Sequence, residues 1–197
     1  MSRIEPVPTS KAGLWGRFAY WMTRRRYGDV PEPFAVMRHH RGVSLAVAMF
    51  ELANEKASHE LSKRLRELVV YRVATKVECE WCVDFGTMLM RLDGLDIERL
   101  RTIDDYPTSE LFDDTERLAL AYADAMTSMP TAVTDEMVTE LNTRLGHRGL
   151  VELTHSIALE NMRARFNSAF GITGQGFDAA CQVKLAPVTQ AAEASRG

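Results

Sequence analysis

The chain is short of most features that would place it quickly in a functional class. Its charges nearly cancel, 24 Lys+Arg against 27 Asp+Glu for a net −3, so no broad field favours nucleic acid or an anionic surface. No stretch approaches the roughly 18 consecutive apolar residues of a membrane span. The opening residues Met1-Ser2-Arg3-Ile4-Glu5-Pro6 carry no apolar signal core, and a cytoplasmic location is expected. Cysteine is scarce, at three residues. No second Cys-x-x-Cys and no His pair stands at finger-like spacing to complete the four ligands of a structural zinc site, so metal stands behind redox as a reading of the Cys-x-x-Cys pair. No segment alternates convincingly as a strand, and there is no internal repeat.

What remains is helical periodicity nearly throughout, punctuated by Gly and Pro at intervals that suit helices of ten to twenty residues. The length of 197 residues fits one domain. Leu14, Trp15, Phe18, Trp21 and Met22 fall on one face of a first helix, which Arg24-Arg25-Arg26 and Gly28 close. A second helical region is expected from about Pro33 to Glu55, interrupted near Gly42. A third runs from an N-cap at Ser58 to about Val77, a fourth from Cys79 to Asp93-Gly94, and a short one from Asp96 to Pro107. Asp113 and Thr134 are caps for two more, ending near Ser128 and Gly146. Residues 148–169, with Leu150, Leu153, Ile157, Met162 and Phe166, read as a core helix. A short helix near 177–183 and a mobile tail complete the chain. The division expected is an N-terminal aromatic and basic helix with linker (1–32), a helical domain (33–184) and the tail (185–197).

The one concentration of chemistry-bearing residues is Cys79-Glu80-Trp81-Cys82 at a helix head, twelve residues after Glu67. In a reducing compartment a close cysteine pair is more often catalytic, redox-active or metal-binding than a staple. A Cys-x-x-Cys at a helix N-terminus can close a small disulfide ring, and the free N–H groups with the helix dipole favour a thiolate. On that ground Cys79 is the lower-pKa thiol. Glu67 precedes the apolar run Leu68-Val69-Val70-Tyr71. Burial there would lift its pKa toward neutrality, where a carboxylate can accept a thiol proton. Its bland alternative is a surface pair with Lys63. Asp84 reads as a helix-surface acid, the five histidines as surface or interface residues, and Cys181 as an inert thiol.

The pattern Glu-x(11)-Cys-x-x-Cys, running from Glu67-Leu68-Val69-Val70-Tyr71-Arg72-Val73-Ala74 through Cys82-Val83-Asp84, resembles the alkylhydroperoxidase D branch of the carboxymuconolactone decarboxylase family. The resemblance implies an all-α, single-domain helical bundle that assembles into trimers or hexamers. It further implies a thiol-dependent peroxidase with no metal and no cofactor, using Glu67, Cys79 and Cys82, a small-molecule peroxide or related oxidised substrate, and an external dithiol as reductant. It gives peroxide attack to Cys82 and the resolving role to Cys79. In the branch with known chemistry a histidine stands four residues after the second cysteine. Here that residue is Gly86, so a roomier pocket and poor turnover of simple peroxides are expected. The family name also covers lactone-acid decarboxylases, which do not depend on a thiol pair, and a non-catalytic redox sensor would hold the same disulfide without turnover.

Overall fold

The structure is a computed structural model that describes residues 2–177. Cys181, the helix expected near 177–183 and the tail all fall outside the described residues. Among the described residues every regular element is helical: α1 (Gly13–Tyr27), α2 (Glu32–Met37), α3 (Arg41–Ala57), α4 (Lys63–Lys76), α5 (Glu80–Leu92), α6 (Glu98–Arg101), α7 (Asp114–Thr127) and α8 (Asp135–Phe170), with short 3-10 turns at Thr9–Lys11 and Ile103–Asp105. The all-α expectation holds.

Helices α4, α7 and α8 form the centre. Their facing residues Leu68, Val69, Val73, Ala119, Leu120, Leu141, Leu153 and Ile157 are buried as one cluster, each large side chain contributing about 1.5–3 kcal/mol on removal from water. Polar groups fix the register of these helices. Arg72 forks onto Asp124, with Nε–Oδ1 2.7 Å and Nη2–Oδ2 2.9 Å, and so ties α4 to α7. The Tyr106 hydroxyl donates to the same carboxylate at 3.0 Å. Glu116 closes a capping box with Asp113 at the start of α7 and also receives Arg64 and Arg99.

Two boundaries differ from expectation. Helix α4 starts at Lys63, with the Ser62 hydroxyl accepting from Leu65 N, whereas Ser58 ends α3 as its C-cap. The cause lies on α8: the Glu152 carboxylate accepts the amides of His59 at 3.1 Å, Glu60 at 2.7 Å and Leu61 at 3.4 Å, which holds the chain extended until Ser62. The break in the second helical region falls at residues 38–40 rather than at Gly42. There the His40 ring caps α3 by accepting from Val43 N, and Arg38 turns inward onto the Ala12 carbonyl and the Ser44 hydroxyl. That arginine crosses Gly16, where a Cβ would stand 2.6 Å from its Nε, so only glycine fits. Gly146 does interrupt α8, at φ 68°.

Among the described residues much of the apolar face of α1 stays uncovered. Leu14 is 88% exposed and Phe18 59%, and on α3 Met49 is 60% exposed, while Tyr20 is the large side chain of α1 that goes inside. Met162, expected in the core, faces outward because it lies off the buried Leu153, Ile157, Ala164 stripe.

Candidate active site

The α4–α5 turn builds the site. Helix α4 ends with Val77 N–H on the Val73 carbonyl and Cys79 N–H on the Ala74 carbonyl at 2.9 Å. Between them Glu78 takes a left-handed backbone, φ 56°, a conformation costly for a residue with a Cβ. The reversal delivers Cys79 as the N-cap of α5, its Sγ accepting the Cys82 amide at 3.3 Å. Cys79 and Cys82 are joined by a disulfide with Cα atoms 5.2 Å apart. Each is only 6% exposed, packed with Ala74 and Ala164 and bordered by Val77, Trp81 and Val83.

A third group reaches the sulfurs from α8. The Asn167 side-chain amide donates to Cys82 Sγ at 3.4 Å and to Cys79 Sγ at 3.6 Å. It is one of the most deeply buried side chains, at 2% exposure. Sequence reading missed it, although a signal existed: Leu153, Ile157, Glu160, Ala164 and Asn167 recur at helical spacing, so two polar residues stand in an apolar stripe. Glu160, the other one, is 4% exposed and pairs with Arg163, which also forks onto Glu51 of α3. Burial outweighs that arginine and pushes the Glu160 carboxyl up to about 7.

Glu67 is placed elsewhere than beside the thiols. Its carboxyl shares a hydrogen bond with Asp93, the residue that caps the far end of α5 from Cys79, and Lys63 pairs with Asp93 rather than with Glu67. Seven residues separate Glu67 from Ala74, about 10 Å along the helix. Burial first, then the proton shared with Asp93, lifts Glu67 to about 7. The elevated pKa expected from sequence is present, but the structure brings together Cys79 and Cys82 and does not bring Glu67 to them. Gly86 lies between these two centres. The Tyr71 ring edge stands 3.5 Å from where its Cβ would be, so one wall of the expected roomier pocket is taken by tyrosine.

Asp84 is not an idle surface acid. Its Oδ2 accepts the amides of Gln175 at 2.7 Å and Phe177 at 3.2 Å, and Gln175 Oε1 accepts the Trp81 indole N–H at 2.6 Å. Residues 172–177 are thereby strapped over the start of α5. An aromatic wall forms beneath the strap: Trp81 stacks on Phe85 with centroids 4.6 Å apart, and Phe177 and Tyr27 meet Phe85 edge-on. None of the histidines joins the site. His39 faces the Glu5 carbonyl, His155 faces Asn54, and His59 lies by Glu60. Among the described residues no His, Cys, Asp and Glu side chains gather as a metal cluster, and no helix is long and apolar enough to cross a membrane.

No protein-family model matches the chain. Individual proteins do. The chain is 37% identical over 169 residues to the uncharacterised protein YnjA of Escherichia coli (strain K12), which spans 86% of this chain and 93% of that one. It is 30% identical over 94 residues to the alkyl hydroperoxide reductase Rv2159c of Mycobacterium tuberculosis (strain ATCC 25618 / H37Rv), across 48% of this chain but only 27% of that protein. Among solved structures, the debrominase Bmp8 in complex with 2,3,4-tribromopyrrole superimposes with TM-score 0.78 at 16% identity, covering 92% of this chain and 96% of that one. An alkylhydroperoxidase AhpD core protein, an uncharacterised peroxidase-related protein from Ralstonia eutropha JMP134, gives 0.74 at 17% identity over 90% and 94%. At such identities the structural matches speak for the fold.

Proposed function

The chain belongs to the alkylhydroperoxidase D-like group of the carboxymuconolactone decarboxylase family, and from that premise we propose that it is a thiol-dependent peroxidase of the alkyl hydroperoxide reductase type. One observation carries the reading. A vicinal disulfide-forming pair caps a helix N-terminus in an apolar pocket, with a buried amide donor on both sulfurs. In the cycle, the Cys82 thiolate attacks the terminal peroxide oxygen, the O–O bond breaks, and an alkoxide leaves and takes up a proton. The Cys82 sulfenic acid then condenses with the Cys79 thiol to give the disulfide and water. An external dithiol returns two electrons and two protons and is itself oxidised to a disulfide. Glu67, with its pKa near neutrality, serves as the proton acceptor through water rather than by contact. No cofactor or metal is needed. The exposed apolar faces of α1 and α3 are where copies of the chain would meet in a homo-oligomer.

The aromatic wall of Trp81, Phe85, Phe177 and Tyr27 favours a second reading, in which the substrate of the same dithiol is a flat halogenated aromatic. Two electrons from the thiol pair would then replace a carbon–halogen bond with carbon–hydrogen and release halide. A single assay separates the readings. The reduced protein, supplied with excess dithiothreitol, should consume cumene hydroperoxide catalytically and release no bromide from a bromopyrrole beyond the rate without protein. Bromide release without peroxide consumption would reverse the order. Neither activity would leave a sensor, and thiol-independent decarboxylation of a lactone acid would place the chain with the lyases.

A further inference from the structure

We propose that Asn167 is a catalytic residue of the thiol pair, the donor that holds negative charge on Cys82 once the disulfide is opened. The proposal rests on the redox reading above, and its argument is one of differential interaction. A disulfide sulfur accepts hydrogen bonds weakly, so in the oxidised protein the Asn167 amide gains little from its contacts at 3.4 and 3.6 Å. When the external dithiol cleaves the Cys79–Cys82 bond, one sulfur leaves as a thiolate. A charge-assisted hydrogen bond is roughly twice as strong as a neutral one. The same N–H then does its work in the state that reacts, with no reorganisation, because it is fixed on the long helix α8 and is 2% exposed.

The surroundings leave this role to Asn167. Lys76 of α4, Glu78 of the turn and Glu80 of α5 are exposed. Asp84 is occupied with the amides of residues 175 and 177. On α8, Glu160 and Arg163 form a chain with Glu51, and Arg165 donates to Asn161. The Asn167 amide lies on both sulfurs. Helix-end N–H groups add to the effect at Cys79, where the Cys82 amide already points to the Sγ. Cys79 thus receives two donors, the Cys82 amide and Asn167, whereas the donor given to Cys82 is the Asn167 amide at 3.4 Å, which is why the proposal concerns Cys82.

The test reads thiolate formation without requiring turnover. The protein is reduced with a phosphine, and iodoacetamide alkylation of Cys82 and Cys79 is followed by peptide mass across pH. Asn167→Leu should raise the apparent pKa of the Cys82 thiol and slow its alkylation near neutral pH by about tenfold, with rates converging on wild type in strong base, where every thiol is ionised. Asn167→Asp, nearly isosteric, should shift the profile in the same direction and further, because it places a carboxylate on the sulfur. It carries the test if the leucine variant does not fold. A profile that superimposes on wild type in a folded variant overturns the proposal, as does a slowing that is equal at all pH values, which would mark a change of access. If the shift is found but wild type consumes no hydroperoxide, Asn167 keeps its role and the peroxidase reading falls.

Discussion

Cys82→Ser should abolish hydroperoxide consumption, lowering it by roughly a thousandfold or more, as loss of a nucleophile does, while leaving the helical fold intact. The serine hydroxyl keeps the small volume of the site but stays protonated at neutral pH, so no nucleophile is generated between Ala74 and Ala164. Cys79→Ser has a different signature. That variant should react once with hydroperoxide and stop at the Cys82 sulfenic acid, because the resolving thiol is absent, and then proceed to the sulfinic acid under excess peroxide. The comparison also settles which sulfur attacks. Helix-end electrostatics favours Cys79, which caps α5 and also accepts the Cys82 amide, whereas family resemblance favours Cys82. If Cys79→Ser is inert and Cys82→Ser makes the single-turnover sulfenic acid, the roles are exchanged and the rest of the cycle stands.

The second large effect concerns pH. Glu160 sits 4% exposed on the same stripe of α8 as Asn167, and its carboxyl is held at about 7 against an ordinary value of 4.5. Below the ordinary value both folded and unfolded chains carry the proton, and the group contributes nothing adverse. Between about 4.5 and 7 the folded protein keeps the proton while the unfolded chain releases it, so each rise in pH favours unfolding; above that window the loss is complete. Wild type should therefore lose stability from pH 5 to about 8 at this site, and Glu160→Gln should recover about 1–3 kcal/mol at the upper end with little change at the lower. Urea unfolding of both proteins at the two pH values checks it. Carboxylates held low by arginines, such as Glu116, act in the opposite direction and at lower pH, so they do not mask the difference. An equal response of the two proteins would mean that Glu160 is ionised in its pair with Arg163 across the range.

Much of this architecture was legible because local rules and tertiary packing agree. Asp113 and Thr134 cap where Asx and Thr hydroxyl chemistry places caps, and Gly28 and Gly94 take positive φ at helix ends. The cysteine pair was legible for the same reason, as spacing within one turn determines its geometry. What escaped was long-range. Ser58 lost its cap role to a carboxylate ninety-odd residues away, Glu152, which takes the amides that would have opened the helix. Asn167 lies 85 residues from Cys82, and only the parallel packing of α8 along α4 brings it to the sulfurs. Glu67 shows the limit from the other side: its neutral-range pKa was read from burial, but its partner Asp93 depends on how α5 folds back on α4, which periodicity does not state. The outward face of α1 was legible too, since Leu14, Phe18 and Trp21 share one side of a helix that a single subunit need not cover, and all three are exposed.

The claim at the centre is that the Cys79–Cys82 pair cycles between dithiol and disulfide at the expense of a hydroperoxide. It is tested most directly by intact mass and thiol titration of phosphine-reduced, desalted protein after one equivalent of cumene hydroperoxide. The expected result is the loss of two hydrogens, with the Cys79 and Cys82 thiols both gone, stoichiometric cumyl alcohol, and full recovery of both thiols on adding dithiothreitol. Both thiols still titratable after the peroxide has been in contact with the protein, or chains joined through Cys181 instead, would contradict it.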